Sequence, residues 1–237
     1  MKMKNKQVVQ ATARKERKNA LAAVKISRRS EPVLERAAPI IMEKPTILIV
    51  CEGKNTEPSY FLHFKLTSAK IKAIGKGYNT LSLVNQAIEL QQKGNYDQVW
   101  CVFDKDNSSD VSFNKTIELA AYKDFGIAYS NQAFEYWLIL HFEDHQGGGM
   151  SRREYDATIN AYIKPMGAYY DGNGNKKISE SFWEILNGQN DSTGLSRRDL
   201  AITRSKRNYD LFDHISPAKE ESSTTVFRLV EEILKYI

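Results

Sequence analysis

The chain has 237 residues, 41% of them hydrophobic and 11% aromatic, which is enough for one large domain or one domain with an appendage and too apolar for a chain disordered throughout. No apolar run approaches the ~20 residues of a membrane helix, so no membrane partner is expected. The N-terminus also lacks the apolar stretch of a secretory signal. The two cysteines, Cys51 and Cys101, fall in apolar runs without CxxC spacing; buried free thiols point to the cytoplasm.

The net charge of +5 conceals an asymmetry. Residues 1–44 hold 12 Lys/Arg and four Glu, a local +8, whereas the remaining 193 residues carry a net −3. The basic character therefore belongs to an N-terminal tail, read as flexible. It suits an electrostatic arm for nucleic acid, a contact for an acidic partner, or a solvated extension.

From Thr46 the pattern becomes regular. TILIVC (46–51) is a continuous β-branched run, the mark of a strand buried on both faces. Asn55 and Thr56 can cap a helix with Glu57 and Pro58 in its first turn. KIKAIG (70–75) is a weaker strand. Asn79 or Thr80 opens a helix that Gly94-Asn95 ends, and QVWCVF (98–103) is the next strand. A helix over Asp110 to Tyr122, a strand at 126–130 and a helix with Phe134, Trp137, Leu138 and His141 on one face follow. This alternation predicts an α/β fold: a parallel sheet flanked by helices over 45–146. Residues 147–237 read as a mostly helical C-terminal part, interrupted by a polar loop at 167–177, with a basic helix from Arg197 to Tyr209. Pro217 precedes a last helix whose stripe from Val226 to Ile237 is expected to pack on the sheet.

Both strong strands end in acids. Glu52 follows the first directly, with Glu57 close behind; Asp104 and Asp106 follow the second. In an open α/β sheet, ligands bind beyond the carboxyl ends of the strands. If the two strands are neighbours their tips lie ~4.8 Å apart, and the carboxylates converge. Oxygen ligands without accompanying nitrogen or sulfur suit Mg²⁺ or Mn²⁺, which serve reactions on phosphate. Gly53 allows a sharp turn beside the acid, and Lys54 and Lys105 flank the acids where a phosphate would need counter-charge. Each acid has a plainer reading alone: a loop carboxylate at Glu52, turn formers at Asp104 and Asp106, a helix-dipole partner at Glu57.

CEGKNTE and FDKDN resemble the two signatures of Toprim domains, a glutamate-glycine after the first strand and an Asp-x-Asp after a later one. With CEGKNTEPSYF, VFDKDN, SNQAFEYWLILHF (130–142) and AITRSK (201–206), the finer pattern is similar to the RloB-like family, which includes the AbiLii component of abortive-infection systems. The resemblance covers Thr46 to the C-terminus and leaves the basic tail outside. It implies a Rossmann-like Toprim sheet and a Mg²⁺-dependent nuclease acting on DNA or RNA in anti-phage defence, with a partner ATPase of the ABC/AAA type. It makes Glu52, Asp104 and Asp106 the metal and catalytic acids. Glu57 is the candidate for a second acid, one residue further on than in OLD-type nucleases. Glu135, near the start of the helix after the 126–130 strand, can face the same crevice as a second-metal ligand or compensate the helix dipole. A Toprim-fold module that docks nucleic acid or an ATPase without catalysis is the alternative. Arg197, Arg198, Arg204, Lys206 and Arg207 form a basic run that is either a solvated face or a phosphate-tracking one; Arg204 and Lys206 lie in the family-like segment. His141 and His145, spaced i, i+4, lack the zincin order and read as packed or surface residues. Gly75-Lys76-Gly77 is too short for a P-loop.

Overall fold

The computed structural model describes residues 2–29, 45–73, 80–145, 148–150 and 152–237. Asn79, Gly75-Lys76-Gly77, Gly147 and residues 30–44 of the basic segment lie outside the described residues. The chain divides into two compact units, Met1–Met42 and Glu43–Ile237.

The first unit contains helix α1 (Lys2–Arg29), with ten Lys/Arg against a single Glu. The sequence pattern predicts no element in this stretch. Its Ala, Lys, Arg and Gln are strong helix formers even without an apolar stripe, and its side chains from Ala11 to Lys25 are exposed.

The second unit is built on strands β1 (Ile47–Cys51), β2 (Ala69–Ala73), β3 (Gln98–Asp104), β4 (Gly126–Asn131) and β5 (Ser223–Thr224). They form one sheet in the order β2-β1-β3-β4-β5, parallel except for the antiparallel β4–β5 pair. Among its helices are α2 (Thr56–Leu62), α3 (Thr80–Gln92), α4 (Asp110–Tyr122), α5 (Glu135–Ile139), α6 (Arg152–Ile163), α7 (Glu180–Asn187), α8 (Arg197–Tyr209) and α9 (Val226–Leu234). Every residue of β1 is fully buried because the sheet has a core on each face. Leu48, Val50, Val99, Cys101 and Phe103 pack with α3 and α4. Ile47, Ile49, Cys51 and Val102 pack with α2, α5 and the later helices.

The parallel strands and flanking helices agree with the sequence reading, as does the helical C-terminal part. Helix α9 packs on β4, burying Val226, Leu229, Val230 and Ile233 of the expected stripe, whereas Ile237 lies past the helix and is exposed. Three details differ. The helix after β4 is short, five residues, and Phe134 to Leu140 are buried on all sides, with no solvent face. The segment after Pro217 first makes a 3-10 turn and then β5, two residues too short to leave a periodic signal. At α2, the Asn55 side chain makes no capping hydrogen bond. Among the described residues, no helix is long and apolar enough to cross a membrane.

Candidate active site

The strand order reverses between β1 and β3, with β2 lying outside one and β4 outside the other. Such a switch point opens a crevice at the carboxyl ends of the strands. The register pairs Cys51 with Val102, so Glu52 lies beside Phe103 and Asp104 follows one residue on. The Glu52 N–H donates to the Val102 carbonyl at 2.9 Å, carrying the ladder one residue past β1. The Glu52 carboxylate turns back over β3, where Oε2 accepts from the Asp104 N–H at 3.3 Å. Backbone bonds from Lys105 to Ser130 and from Asp106 to Gln132, each 2.9 Å, tie the exit of β3 to the end of β4. Asp106 adopts a left-handed φ of +37°, which aspartate tolerates. It therefore acts both as a turn residue and as part of the crevice wall.

The crevice is a cavity of about 270 Å³, and all five acids singled out in the sequence line it: Glu52, Glu57, Asp104, Asp106 and Glu135. Lys54, Asn55, Thr56 and Phe134 complete the sheet side, and Lys176 reaches in from the loop between α6 and α7. Gly53 lies in the bend expected after β1 and has a second role beside it. A Cβ at this position would overlap the Glu57 carboxylate, so the glycine lets the buried acid lie against the backbone. The Gly53 amide and Glu57's own amide hydrogen-bond that carboxylate.

Electrostatically the cavity is frustrated. Burial pushes the Glu57 carboxyl up, and the charges of Glu135 and Glu52 add to the effect against two backbone hydrogen bonds, raising it from 4.5 to about 7. Burial likewise raises Asp104 well above the usual carboxylate range, reinforced by Glu57 and Glu135. Asp104 Oδ1 is buried without a hydrogen-bond partner. An unpartnered buried carboxylate oxygen is costly unless something else binds it. Glu135 fares better: its Oε1 accepts from the Tyr170 hydroxyl at 2.8 Å, which also contacts Thr56 Oγ1 at 3.2 Å.

A hard divalent cation fits this donor set, which offers carboxylate oxygens, an orphaned Oδ1 and an excess of acids over the two lining lysines. Among the described residues, no three His, Cys, Asp or Glu side chains close into a cation cage. An ion here would take one or two carboxylates and fill its remaining positions with water or substrate oxygens, as Mg²⁺ commonly does.

Of the expected basic residues, Lys54 lines the cavity and is exposed. The others are placed elsewhere. Lys105 turns away to the Ser108 carbonyl at 2.5 Å and Asp110 at 3.3 Å, bracing the turn that carries Asp106. Arg204 donates to the Leu140 carbonyl at 2.8 Å, and Lys206 pairs with Glu231 at 2.5 Å. Arg197, Arg198 and Arg207 bond to Ile185, Asn187 and Asp144. The run on α8 thus holds the C-terminal helices together, a use that charge patterning alone does not distinguish from a solvated face.

His141 is a packed histidine, as expected. It is fully buried, 3.0 Å from the Trp137 carbonyl through Nδ1, and burial depresses it to about 3. Both cysteines are buried, and burial pushes the Cys101 thiol up to about 12. Sequence reasoning missed Tyr170 and Lys176. Both lie in the polar loop at 167–177, where the only available signal was two tyrosines and two lysines among turn formers.

The pattern of the family described as RloB-like protein matches residues 47–233, the stretch that folds into the sheet and its helices. No curated protein and no solved structure matches the chain. With the two acid-ended strands and nearly all of the helical C-terminal part inside the matched span, the chain belongs to the RloB-like family.

Proposed function

We propose that the protein is a Mg²⁺- or Mn²⁺-dependent nuclease of Toprim type that hydrolyses phosphodiester bonds in DNA or RNA. The observation that carries this reading is the convergence of Glu52, Glu57, Asp104, Asp106 and Glu135 on one cavity at the switch point of the sheet, with Asp104 Oδ1 left without a partner. One or two of Glu52, Asp104 and Asp106 would hold the ion, with water or substrate oxygens completing its shell, and Glu57 and Glu135 are the candidates for a second. When bound, such an ion supplies Lewis acidity to a phosphoryl oxygen and lowers the pKa of water.

The chain's own residues account for the rest. In the metal-free protein burial and the neighbouring acids raise the Glu57 carboxyl to about 7, which suits it, where it does not itself hold an ion, to accept a proton from water and return it to a leaving oxygen. The Tyr170 hydroxyl fixes the orientation of Glu135. Lys54 and Lys176 offer positive charge to a phosphate that would otherwise face only acids. Family membership and the AbiLii-like motifs support a role as effector of an anti-phage abortive-infection system with an ABC/AAA-type ATPase partner.

Incubating the purified protein, with its partner, with DNA and RNA in Mg²⁺, Mn²⁺ or chelator tests the reading. Metal-dependent cleavage is expected, reduced by about 10²–10⁴-fold in Glu52→Gln and Asp104→Asn with folding retained. Intact substrate in every condition would overturn it. The second reading, a non-catalytic Toprim-fold module that docks nucleic acid or the ATPase, draws on the lack of a closed cation cage among the described residues. It predicts that both acid variants keep full biological activity.

A further inference from the structure

A second chamber of about 270 Å³ adjoins the acidic cavity, and the two share Glu135 and Lys176. Its remaining lining comes from Tyr155 and Asp156 of α6 and from Tyr170, Gly172 and Asn173 of the loop. This is a built site. Asn160 on α6 clamps the loop, its Nδ2 donating to the Tyr170 carbonyl at 2.7 Å and its Oδ1 accepting from the Tyr170 N–H at 3.0 Å. One turn earlier, Asp156 Oδ1 accepts from the Gly172 N–H at 3.0 Å and from Asn160 Nδ2 at 3.1 Å. A Cβ on Gly172 would come within 2.7 Å of Asp156 Oδ1, so glycine keeps that wall back. At the far end of the loop the Ile178 N–H donates to Ser59 Oγ of α2 at 2.9 Å.

One residue of the chamber wall carries an unused group. Tyr155 is 1% exposed, yet its hydroxyl has no hydrogen-bond partner. A buried tyrosine hydroxyl almost always finds one. Two carboxylates, Glu135 and Asp156, stand against one lysine here, so the chamber repels a second phosphate. It offers hydroxyl, amide, carboxylate and backbone groups to a neutral polar unit. The shared Lys176 stands where that unit would join a phosphate in the acidic cavity.

We propose that the second chamber is a nucleoside subsite, taking the sugar and base attached to the phosphate held over the acids, with the Tyr155 hydroxyl as a recognition donor. The proposal rests on the nuclease reading and adds to it that the protein grips a nucleotide on one side of the scissile bond.

The test uses the full-length protein in saturating Mg²⁺, titrated separately with inorganic phosphate and with ribo- and deoxyribonucleoside 5′-monophosphates by ligand-observed NMR. At least one monophosphate is expected to bind about tenfold more tightly than phosphate. Tyr155→Phe should cut that preference by about 3–10-fold, the worth of one hydrogen bond, while phosphate affinity stays put. Because the deleted oxygen has no partner in the fold, the melting temperature should hold or rise. Asn173→Ala, at an exposed position on the rim, is the second variant and should also reduce the preference. The subsite is overturned if no monophosphate outbinds phosphate, or if both variants retain the wild-type preference. Nucleotide preference without cleavage of any DNA or RNA would sink the nuclease reading and leave the subsite standing; cleavage without preference would do the reverse.

Discussion

The two walls of the acidic cavity are built on opposite principles. The sheet-end wall brings Glu52, Glu57 and Asp104 together with few partners, so burial and mutual repulsion raise Glu57 and Asp104, and one carboxylate oxygen is orphaned. The other side is braced by the loop from Ala168 to Ile178, of which Lys176 lines the cavity; the loop is clamped by Asn160, Asp156 and Ser59, and its Tyr170 hydroxyl is spent on Glu135 and Thr56. Buried polar groups ordinarily satisfy one another, so the wall that fails to do so is the one arranged for something other than stability. The satisfied side fixes the geometry in which the frustrated acids persist, and sets only Lys176 against five of them.

Gly53→Ala should break the frustrated wall most severely. The new Cβ would overlap the Glu57 carboxylate and drive it from the Gly53 backbone. Mg²⁺ affinity, read from the metal dependence of cleavage, should fall about 10–100-fold, the usual cost of disturbing groups that support a metal ligand. The melting temperature should change little. Wild-type metal dependence in this variant would show that Glu57 has no part in the site.

Asn160→Ala breaks the satisfied wall instead. It strands the N–H and C=O of buried Tyr170 and releases the tyrosine that orients Glu135. A loss of about 2 kcal/mol in a denaturant melt is expected. Cleavage should weaken alongside it, because the loop carries Lys176.

The same contrast separates what the sequence displayed from what it concealed. ILIVC and VWCVF announce strands buried on both faces, and an acid directly after each is placed by strand geometry alone; Glu52 and Asp104 needed no tertiary information. Glu135 was within reach because it begins a helix directly after a third strand. Tyr170 and Lys176 were not, since their loop is ordered by long-range bonds to Asn160, Asp156 and Ser59 that leave no local periodicity. The basic run of α8 shows the converse: Arg197 and Arg204 look like a surface for phosphate, yet they bond to the Ile185 and Leu140 carbonyls, an assignment only packing makes. Strand β5 was hidden by its length, two residues joined to the sheet through Ser130 and Asn131.

Titration sharpens the comparison at smaller amplitude. The Glu57 carboxyl sits at about 7 in the fold against an ordinary 4.5, so the folded state holds its proton longer than the unfolded chain does. Stability of the metal-free protein should therefore fall as pH rises from about 4.5 to about 7, the direction linkage requires when the native state binds more protons. Glu57→Gln should flatten that slope, gaining about 1–2 kcal/mol above pH 7 and nothing at pH 4. Melts in chelator across this range check it. Added Mg²⁺ should reverse the wild-type slope, because the ion favours the ionised acids. A slope unchanged in the variant would place the repulsion elsewhere.

The smallest effect should come from α1, which belongs to the other compact unit. Its charge is nonetheless the densest in the chain. Arg14, Lys15, Arg17 and Lys18 are exposed on one stretch of helix, with Glu16 the acid among them. Changing these four to glutamine should leave cleavage of short oligonucleotides, its metal dependence and the Glu57 titration at wild-type values. On long nucleic acid the binding constant should become less sensitive to salt, its log-log slope falling by at most about four, roughly one for each phosphate contact removed. A lowered rate on short oligonucleotides would make α1 part of the catalytic apparatus, whereas an unaltered salt slope on long substrates would leave its charge without a role in nucleic-acid binding.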